Sequence, residues 1–280
     1  MSNGGFFREY YGYDEQKLKE IAPYPLDVVE GDIDLYYRIA LDLYGFVEEK
    51  SAEGRPANVI LPVGPVFQYR RFRELLRKRP LDLSGLNCFF MDEYLSSDGR
   101  LIPAEHPLSF RGFIEREFLS PLAESGVLKR EQVRFPDPER PQRYDEDLEA
   151  LGGAGLCQAG VGINGHLAFN EAAEIGENGQ AWVSVEEFSS LPTRVIELSA
   201  ETRITNSHTA LSGAFEYIPR QAVTIGMASI LQSERVRVYM NRPWQRSVLR
   251  KALCEEVSAA FPVTLLRTHP DVACSVTGEV

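Results

Sequence analysis

Short apolar runs that alternate with helical stretches constrain the fold of this chain more than any other feature. Residues 58–63, 86–91 and 156–161 form three such runs, which end at glycine or at acidic residues. Each run is apolar almost throughout and does not alternate with polar residues, which is typical of parallel strands buried on both faces. The spacing of apolar residues every three or four positions predicts helices over 32–50 and 69–79.

Strands and helices that alternate in units of about 30 residues favour a parallel sheet covered by helices. We therefore expect an α/β fold, a single Rossmann-like three-layer domain with a mostly parallel sheet and helices on both faces. Residues 1–30, rich in aromatic residues and proline, are expected to form an irregular N-terminal arm, and residues 31–280 the domain. Further strands are predicted at 194–198, 223–226, 236–240 and 262–266, and a helix at 245–252.

The charge balance excludes several classes of partner. The 280 residues include 41 acidic and 30 basic side chains, a net charge of −11 that is unsuited to nucleic acids. No apolar run approaches the roughly 20 residues of a membrane-spanning helix, and the N-terminal residues do not resemble a signal peptide, so we expect a cytoplasmic protein. A homo-oligomer is compatible with the sequence. Buried, reduced thiols are expected at Cys88, Cys157, Cys254 and Cys274.

Two carboxylates directly follow the second apolar run. In an open parallel sheet, ligands bind beyond the carboxyl ends of the strands. Asp92 and Glu93 stand at such an end, where burial raises the pKa of a carboxyl towards the range of a general base. The alternative is an acidic pair that caps the next helix or loop.

The third run leads into a glycine-rich loop with an imidazole. His166 follows Gly162 and Gly165, whose conformational freedom allows close approach to a small ligand. Glu171 could orient the imidazole, and Asn164 could bond to either residue. A satisfied structural pair of His166 and Glu171 is the alternative.

The same loop matches a dinucleotide-binding pattern, G-x-G-x-x-G, over residues 160–165. That site requires the turn to open a helix and an acidic residue to follow at the end of the next strand. Residues 176–190 are polar and contain no such strand, so we do not expect a nucleotide site.

Four stretches, residues 91–94, 106–110, 160–171 and 193–207, occur in an order that closely resembles the glucosamine-6-phosphate deaminase family. The likeness extends from about residue 58 to residue 270. The stretch Gly-His-Leu-Ala-Phe-Asn-Glu, residues 165–171, is similar to the deaminases and distinguishes them from the related 6-phosphogluconolactonases.

The resemblance implies conversion of an amino sugar phosphate to a ketose phosphate with loss of ammonia, without a metal or redox cofactor. It implies that Asp92 moves a proton between C2 and C1 of the sugar. His166, supported by Glu171 and Asn164, would assist ring opening. The expected partner is a small sugar or sugar phosphate, and the expected substrate contacts are Gly64, Glu93, Gly162, Gly165 and His208.

The chain departs from the family at its phosphate-binding positions. A Gly-Ser/Thr-Thr-Pro turn is replaced by residues 64–67, an arginine by His208, and a lysine by the segment 243–244. Either other arginines replace these donors or the substrate carries no phosphate there. The candidate arginines are Arg70, Arg71, Arg242 and Arg246, and the aromatic residues that could stack on an uncharged sugar are Phe67, Tyr69 and Trp244. An acidic insertion, residues 172–192, is either a lid or a surface loop.

Two other functions remain open at this point. A non-catalytic sugar sensor would explain the missing phosphate donors, whereas Asp92 and His166 together favour an enzyme. A sugar lactonase is the third alternative.

Overall fold

A seven-stranded parallel sheet forms the centre of the protein in the computed structural model, which describes residues 7–65, 67–177 and 180–280. From one edge to the other its strands are β1 (Leu26–Val29), β10 (Val272–Thr277), β9 (Arg235–Met240), β6 (Leu156–Gly160), β2 (Ala57–Leu61), β3 (Leu86–Phe90) and β5 (Val133–Arg134). A separate three-stranded antiparallel sheet has the order β4 (Asp92–Leu95), β8 (Gln221–Thr224) and β7 (Arg194–Glu197).

Helices pack on both faces of the large sheet and confirm the predicted three-layer α/β class. One layer contains α2 (Asp32–Ala52), α3 (Gln68–Lys78), α4 (Phe110–Ile114) and α5 (Ser120–Glu124), the last two joined by a π-helical turn, Glu115–Leu119. The other layer contains α1 (Glu15–Ile21), α6 (Pro141–Ala150), α7 (Val185–Ser189), α9 (Met227–Leu231) and α10 (Gln245–Cys254). Helix α8 (Ala200–Leu211) lies beside the small sheet.

The apolar runs become central strands because both of their faces are buried. In β2, Ile60 packs into the cluster on one side of the sheet, while Val59 and Leu61 pack into the cluster on the other. All three side chains are fully buried, and each burial stabilises the fold by roughly 1.5–3 kcal/mol. A polar residue on either face would lose this contribution, which explains why the run does not alternate.

One predicted strand is wrong. Residues 262–266 belong to a 3-10 helix, Pro262–Thr268, and β10 takes the place in the sheet. Pro262 fits the start of a helix, and the Thr264 hydroxyl donates to the Phe261 carbonyl at 2.7 Å within the turn. The runs at 194–198 and 223–226 do form strands, but in the small antiparallel sheet.

The N-terminal arm is more regular than expected. Its last strand, β1, pairs with β10 at the edge of the large sheet, so the sheet begins before residue 31. The preceding residues pack on α10, where the Arg250 guanidinium donates to the Tyr13 carbonyl at 2.8 Å. All four cysteines are free, three of them buried and Cys254 partly exposed. In the described part of the chain, no helix is both long and apolar enough to cross a membrane.

Candidate active site

A cavity of about 450 Å³ opens where four neighbouring strands end. Residues that follow β9, β6, β2 and β3 line it, and all four strands present their carboxyl ends there. The chain order reverses between β6 and β2, which is the switch point where open α/β sheets bind ligands. The remaining walls come from β4, α4 with the segment that precedes it, and α8.

Asp92 lies at the point where the chain leaves the large sheet for the small one. Met91 still bonds to β2, through its N–H to the Leu61 carbonyl at 3.1 Å, and Asp92 already pairs with Thr224 of β8. Asp92 lines the cavity but is only 7% exposed. Burial, and next the charge of Glu93, raises its pKa from 3.8 to about 8. A carboxyl with that pKa can both take up and release a proton near neutral pH.

Glu93 points away from the cavity, and the structure therefore corrects its assignment as a substrate contact. Its carboxylate is fully buried and accepts four hydrogen bonds. The donors are the Ser109 hydroxyl at 2.8 Å and the backbone N–H groups of Tyr94, Phe110 and Arg111 at 2.8–3.0 Å. Glu93 thus caps the start of α4 and fixes the wall beside Asp92. Of the two sequence interpretations, capping describes Glu93 and cavity lining describes Asp92.

His166 lines the opposite part of the cavity and is held through its Nδ1 atom. The amide oxygen of Asn164 lies 2.8 Å from Nδ1. Because that oxygen only accepts, Nδ1 carries a hydrogen, and Nε2 offers a lone pair whenever the imidazole is neutral. In the described residues, no protein group bonds to Nε2. His166 is 8% exposed, so the ring is fixed and its free nitrogen serves the cavity.

Glu171 completes the support of the imidazole. Its Oε2 lies 3.6 Å from His166 Nδ1 and accepts from Asn164 Nδ2 at 2.6 Å, while Oε1 accepts from the Ser199 N–H at 3.1 Å. Burial raises the pKa of Glu171, but its hydrogen bonds and the charge of His166 outweigh burial and lower the pKa to about 2. The carboxylate therefore stays ionised and can stabilise a positive imidazole.

Thr202 is a site residue to which sequence reasoning gave no role. Its hydroxyl donates to Glu171 Oε2 at 3.0 Å and lies 3.2 Å from His166 Nδ1. Thr202 stands in the first turn of α8, which is capped by the Ser199 hydroxyl that accepts from the Thr202 N–H. The Ser-x-x-Thr capping pattern was visible in the sequence, but not its contact with His166.

The loop glycines leave room for neighbouring rings, and the Gly162 N–H also donates to the His166 carbonyl at 2.9 Å. A Cβ atom on Gly162, which lines the cavity, would lie 2.0 Å from both Cε1 and Nε2 of His166. Gly165 has φ of +81°, and its Cβ would meet the Phe261 ring at 2.9 Å, but it does not line the cavity. Gly64 lines the cavity at the end of β2. The 160–165 stretch opens no helix, as the dinucleotide pattern would require.

His208 does not reach the cavity, and its assignment as a substrate contact is also corrected. Helix α8 presents residues at positions 202, 205, 206, 209 and 210 to the cavity, the spacing of one helical face. His208 lies off that face and is exposed. Asn206, two positions earlier, does line the cavity and donates to the Tyr94 hydroxyl at 2.8 Å.

Of the four candidate arginines, only Arg242 lines the cavity. Arg70 is paired with Glu117 at 2.7 and 2.9 Å, and Arg71 with Glu74 at 3.0 Å. Arg246 is exposed elsewhere. Of the three candidate aromatic residues, only Trp244 lines the cavity; Phe67 is largely exposed and Tyr69 is buried in the core.

The acidic insertion forms no wall of the cavity in its described part. It contains a short hairpin, where Ile175 pairs with Ala181, followed by helix α7. Phe188 of α7 is buried in the main core, whereas Trp182 is 73% exposed. Residues 178 and 179 lie outside the described residues. The described residues also contain no group of three or more side chains arranged to hold a metal ion.

Known proteins share both sequence and fold with the chain. No protein-family model matches it. A glucosamine-6-phosphate deaminase of Vibrio campbellii is 30% identical over 227 residues, which is 79% of this chain and 77% of that protein. The structure of a monomeric glucosamine-6-phosphate deaminase matches with a TM-score of 0.75 and 22% identity, over 91% of this chain and 98% of the other. The 6-phosphogluconolactonase from Trypanosoma cruzi matches with a TM-score of 0.64 and 16% identity, over 91% and 95%. These two structures are similar in fold.

Proposed function

The chain belongs to the glucosamine-6-phosphate deaminase family, and we propose that it converts an aldose-type 2-amino sugar to the 2-ketose with release of ammonia. One observation carries the proposal: a buried carboxyl with a raised pKa, Asp92, lines the same cavity as an imidazole held by an ionised carboxylate, His166 with Glu171. A cavity that only bound sugar would have no use for both groups, because each is costly to keep buried.

Ring opening is the first step and uses His166. The free Nε2 accepts the proton of the anomeric hydroxyl and returns it to the ring oxygen, so that the hemiacetal opens to the aldehyde. Glu171 stabilises the transient positive imidazole, because its charge lies 3.6 Å from Nδ1. Asn164 and Thr202 keep the ring in place through Nδ1.

Proton transfer between carbons is the second step and uses Asp92. The ionised carboxylate removes the proton from C2, the carbon that bears the amino group, and O1 takes up a proton from water, so that an enol forms between C1 and C2. The same carboxyl then delivers its proton to C1, and the nitrogen releases one proton to water, which leaves an imine at C2. A carboxyl whose pKa is about 8 holds the proton between the two transfers better than an ordinary aspartate does.

Hydrolysis of the imine completes the reaction. Water adds to C2, the amino group leaves as ammonia, and the ketone remains, so that amino sugar and water are converted to ketose and ammonia. No electron transfer is involved.

The test is simultaneous measurement of ammonia and ketose from a panel of 2-amino sugars. We expect turnover by the wild-type chain and a loss of about 10³-fold or more in Asp92→Asn and about 10²-fold in His166→Gln. His208→Gln is the matched control, because His208 is exposed and lies away from the cavity, and it should retain wild-type turnover.

Three results would contradict the proposal. Equal turnover in Asp92→Asn and wild type would remove the carboxyl from the chemistry. Sugar binding without ammonia release would indicate a sensor, and acid release from a sugar lactone would indicate a lactonase instead.

A further inference from the structure

The charge of the cavity limits which amino sugar can enter it. We propose that the substrate is an amino sugar without a phosphate group. This inference rests on the proposed function and narrows its substrate class. Three observations support it: the cavity has few positively charged side chains, many of its hydrogen-bond donors already bond to protein acceptors, and much of its wall is aromatic.

Positive charge is scarce at the cavity. Apart from His166, Arg242 is the only basic side chain among the described lining residues, and the undescribed positions 1–6, 66, 178 and 179 contain no lysine, arginine or histidine. Arg242 is itself exposed to solvent, which screens its charge. A dianion would therefore meet one screened cation.

The backbone at the start of α10 does not make up for the missing cations. The N–H groups of Asn241 and Arg242 both donate to Gln245 Oε1, at 2.8 and 2.9 Å. Pro243 has no N–H, and the Gln245 N–H donates to the Arg242 carbonyl at 2.8 Å. A helix N-terminus binds anions through free N–H groups, and most of the N–H groups here already donate to protein acceptors.

The residues that follow β2 offer no side-chain donor. Pro65 has no N–H, and the side chains of Val66 and Phe67 carry no polar atom. Gly64 contributes no side chain at all. Residues 64–67 therefore add no hydroxyl or charge that a phosphate could use, and their only donors are backbone N–H groups.

Three hydroxyl groups of the cavity give their protons to the protein. Ser109 donates to Glu93 at 2.8 Å, Thr205 to the Glu201 carbonyl at 2.8 Å, and Thr209 to the Thr205 carbonyl at 3.1 Å. What these hydroxyls present to a ligand is their oxygen lone pairs. Sugar hydroxyls can donate to such oxygens, whereas phosphate oxygens only accept and would be repelled.

Much of the remaining wall is aromatic and suits an uncharged ring, and the buried Trp244 Nε1–H, which has no partner among the described residues, is a neutral donor. Phe110, Phe113, Phe169 and Trp244 line the cavity, and aromatic faces pack well against the C–H faces of a sugar. Taking a dianion from water into such surroundings is costly without several charged partners. A volume of about 450 Å³ accommodates a monosaccharide.

The test compares free amino sugars with their 6-phosphates as substrates of the full chain. Glucosamine, galactosamine and mannosamine are each assayed for ammonia release in both forms. We expect kcat/KM to favour the free sugar by about tenfold or more, a difference of about 1.4 kcal/mol. Millimolar inorganic phosphate should not inhibit competitively. A preference of about tenfold for the 6-phosphates, or competitive inhibition by phosphate, would overturn the inference while leaving the deaminase function intact.

Two arginine variants test the same inference by changing the protein instead of the substrate. Arg242→Gln removes the one arginine among the described lining residues and should leave turnover of the free sugars unchanged. Arg246→Gln removes a neighbouring exposed arginine and should also leave it unchanged. A wild-type preference for the 6-phosphates that is lost in Arg242→Gln and kept in Arg246→Gln would show that Arg242 binds phosphate, and would overturn the inference.

Binding to Asp92→Asn separates failure of the inference from failure of the proposed function. If no amino sugar is turned over, calorimetry with glucosamine and glucosamine 6-phosphate still measures the charge preference of the cavity. Binding of the free sugar alone would support the inference and reject the deaminase. Stronger binding of the phosphate would overturn the inference, and binding of neither would overturn both.

Discussion

Replacement of Asp92 by asparagine should stabilise the protein at neutral and alkaline pH, although it removes the proposed base. The Asp92 carboxyl is 7% exposed, and no hydrogen bond contributes to its pKa of about 8. An ionised carboxylate in this position has lost its hydration without gaining a partner. Asparagine has nearly the same shape and no charge, so the variant avoids the unfavourable ionisation.

The sign and size of this change in the free energy of unfolding follow from proton linkage. Between pH 3.8 and about 8, the unfolded chain has released the Asp92 proton while the folded protein retains it. The folded state thus binds more protons, and the free energy of unfolding of the wild type falls as the pH rises through this window. The pKa difference gives an upper limit of about 6 kcal/mol above pH 8, and water in the cavity reduces it to about 2–3 kcal/mol.

Urea unfolding of wild type and Asp92→Asn, at about pH 4, 6 and 9, measures the effect. The two proteins should be equally stable at the lowest pH, and the advantage of the variant should grow towards pH 8 and then remain constant. A variant that is less stable than wild type at about pH 9 would refute the desolvation argument.

Asp145→Asn is the matched control, because Asp145 is satisfied by the protein. Its carboxylate accepts from the Thr193 N–H at 2.8 Å, the Thr193 hydroxyl at 2.6 Å and the Ser229 hydroxyl at 3.0 Å. An amide would place donors opposite donors and should destabilise the protein by about 1–3 kcal/mol at neutral pH. The same chemical change should therefore have opposite effects at the two positions.

Three further outcomes concern catalysis. Because Asp92 has to be ionised to accept a proton, kcat/KM should rise by about tenfold per pH unit up to about pH 8 and then level off, and a flat profile from pH 6 would contradict its role. Gly162→Ala should lower kcat by about 10²-fold, because the new Cβ would displace the His166 ring. Gly45→Ala is the control: Gly45 lies in α2 with open space where a Cβ would stand, so this variant should keep full activity and gain about 0.5–1 kcal/mol of stability. Similar kinetics in the two variants would contradict the contact between residue 162 and His166. Glu171→Gln should lower kcat by about 10- to 100-fold in steady-state assays, and a change below about twofold would show that the His166 imidazole needs no charged partner.

The central strands β2, β3 and β6 of the large sheet were predictable because they carry their own signal, whereas β1, β5 and β10 were not predicted. Residues 58–61, 86–90 and 156–160 are buried on both faces, so the apolar run in the sequence and the strand in the structure nearly coincide. Helix α2 was predicted for a similar reason, since one of its faces is apolar over its whole length. In each case the information is local to the segment.

The small sheet was not predictable, because local pattern does not identify the partner of a strand. Strand β7 alternates between half-buried and exposed residues, and nothing in it indicates that its neighbour is β8 or that the pairing is antiparallel. Residues 262–266 are buried and, apart from Thr264, apolar, and so a buried 3-10 helix was taken for a strand. Periodicity does not separate these two structures over such short lengths.

The two adjacent carboxylates in the site show likewise that local sequence does not determine which partner a side chain meets. Successive side chains of a strand point to opposite faces, so Asp92 and Glu93 of β4 cannot both enter the cavity. Which of them does depends on the register of β4 against β8, where Asp92 lies opposite Thr224, and on the position of the N–H groups at the start of α4. Those N–H groups satisfy Glu93 and leave Asp92 without a partner. The chemistry that we assign to Asp92 therefore depends on backbone N–H groups of α4 that take no part in the proposed reaction, and shifting β4 by one residue would exchange the roles of the two carboxyls.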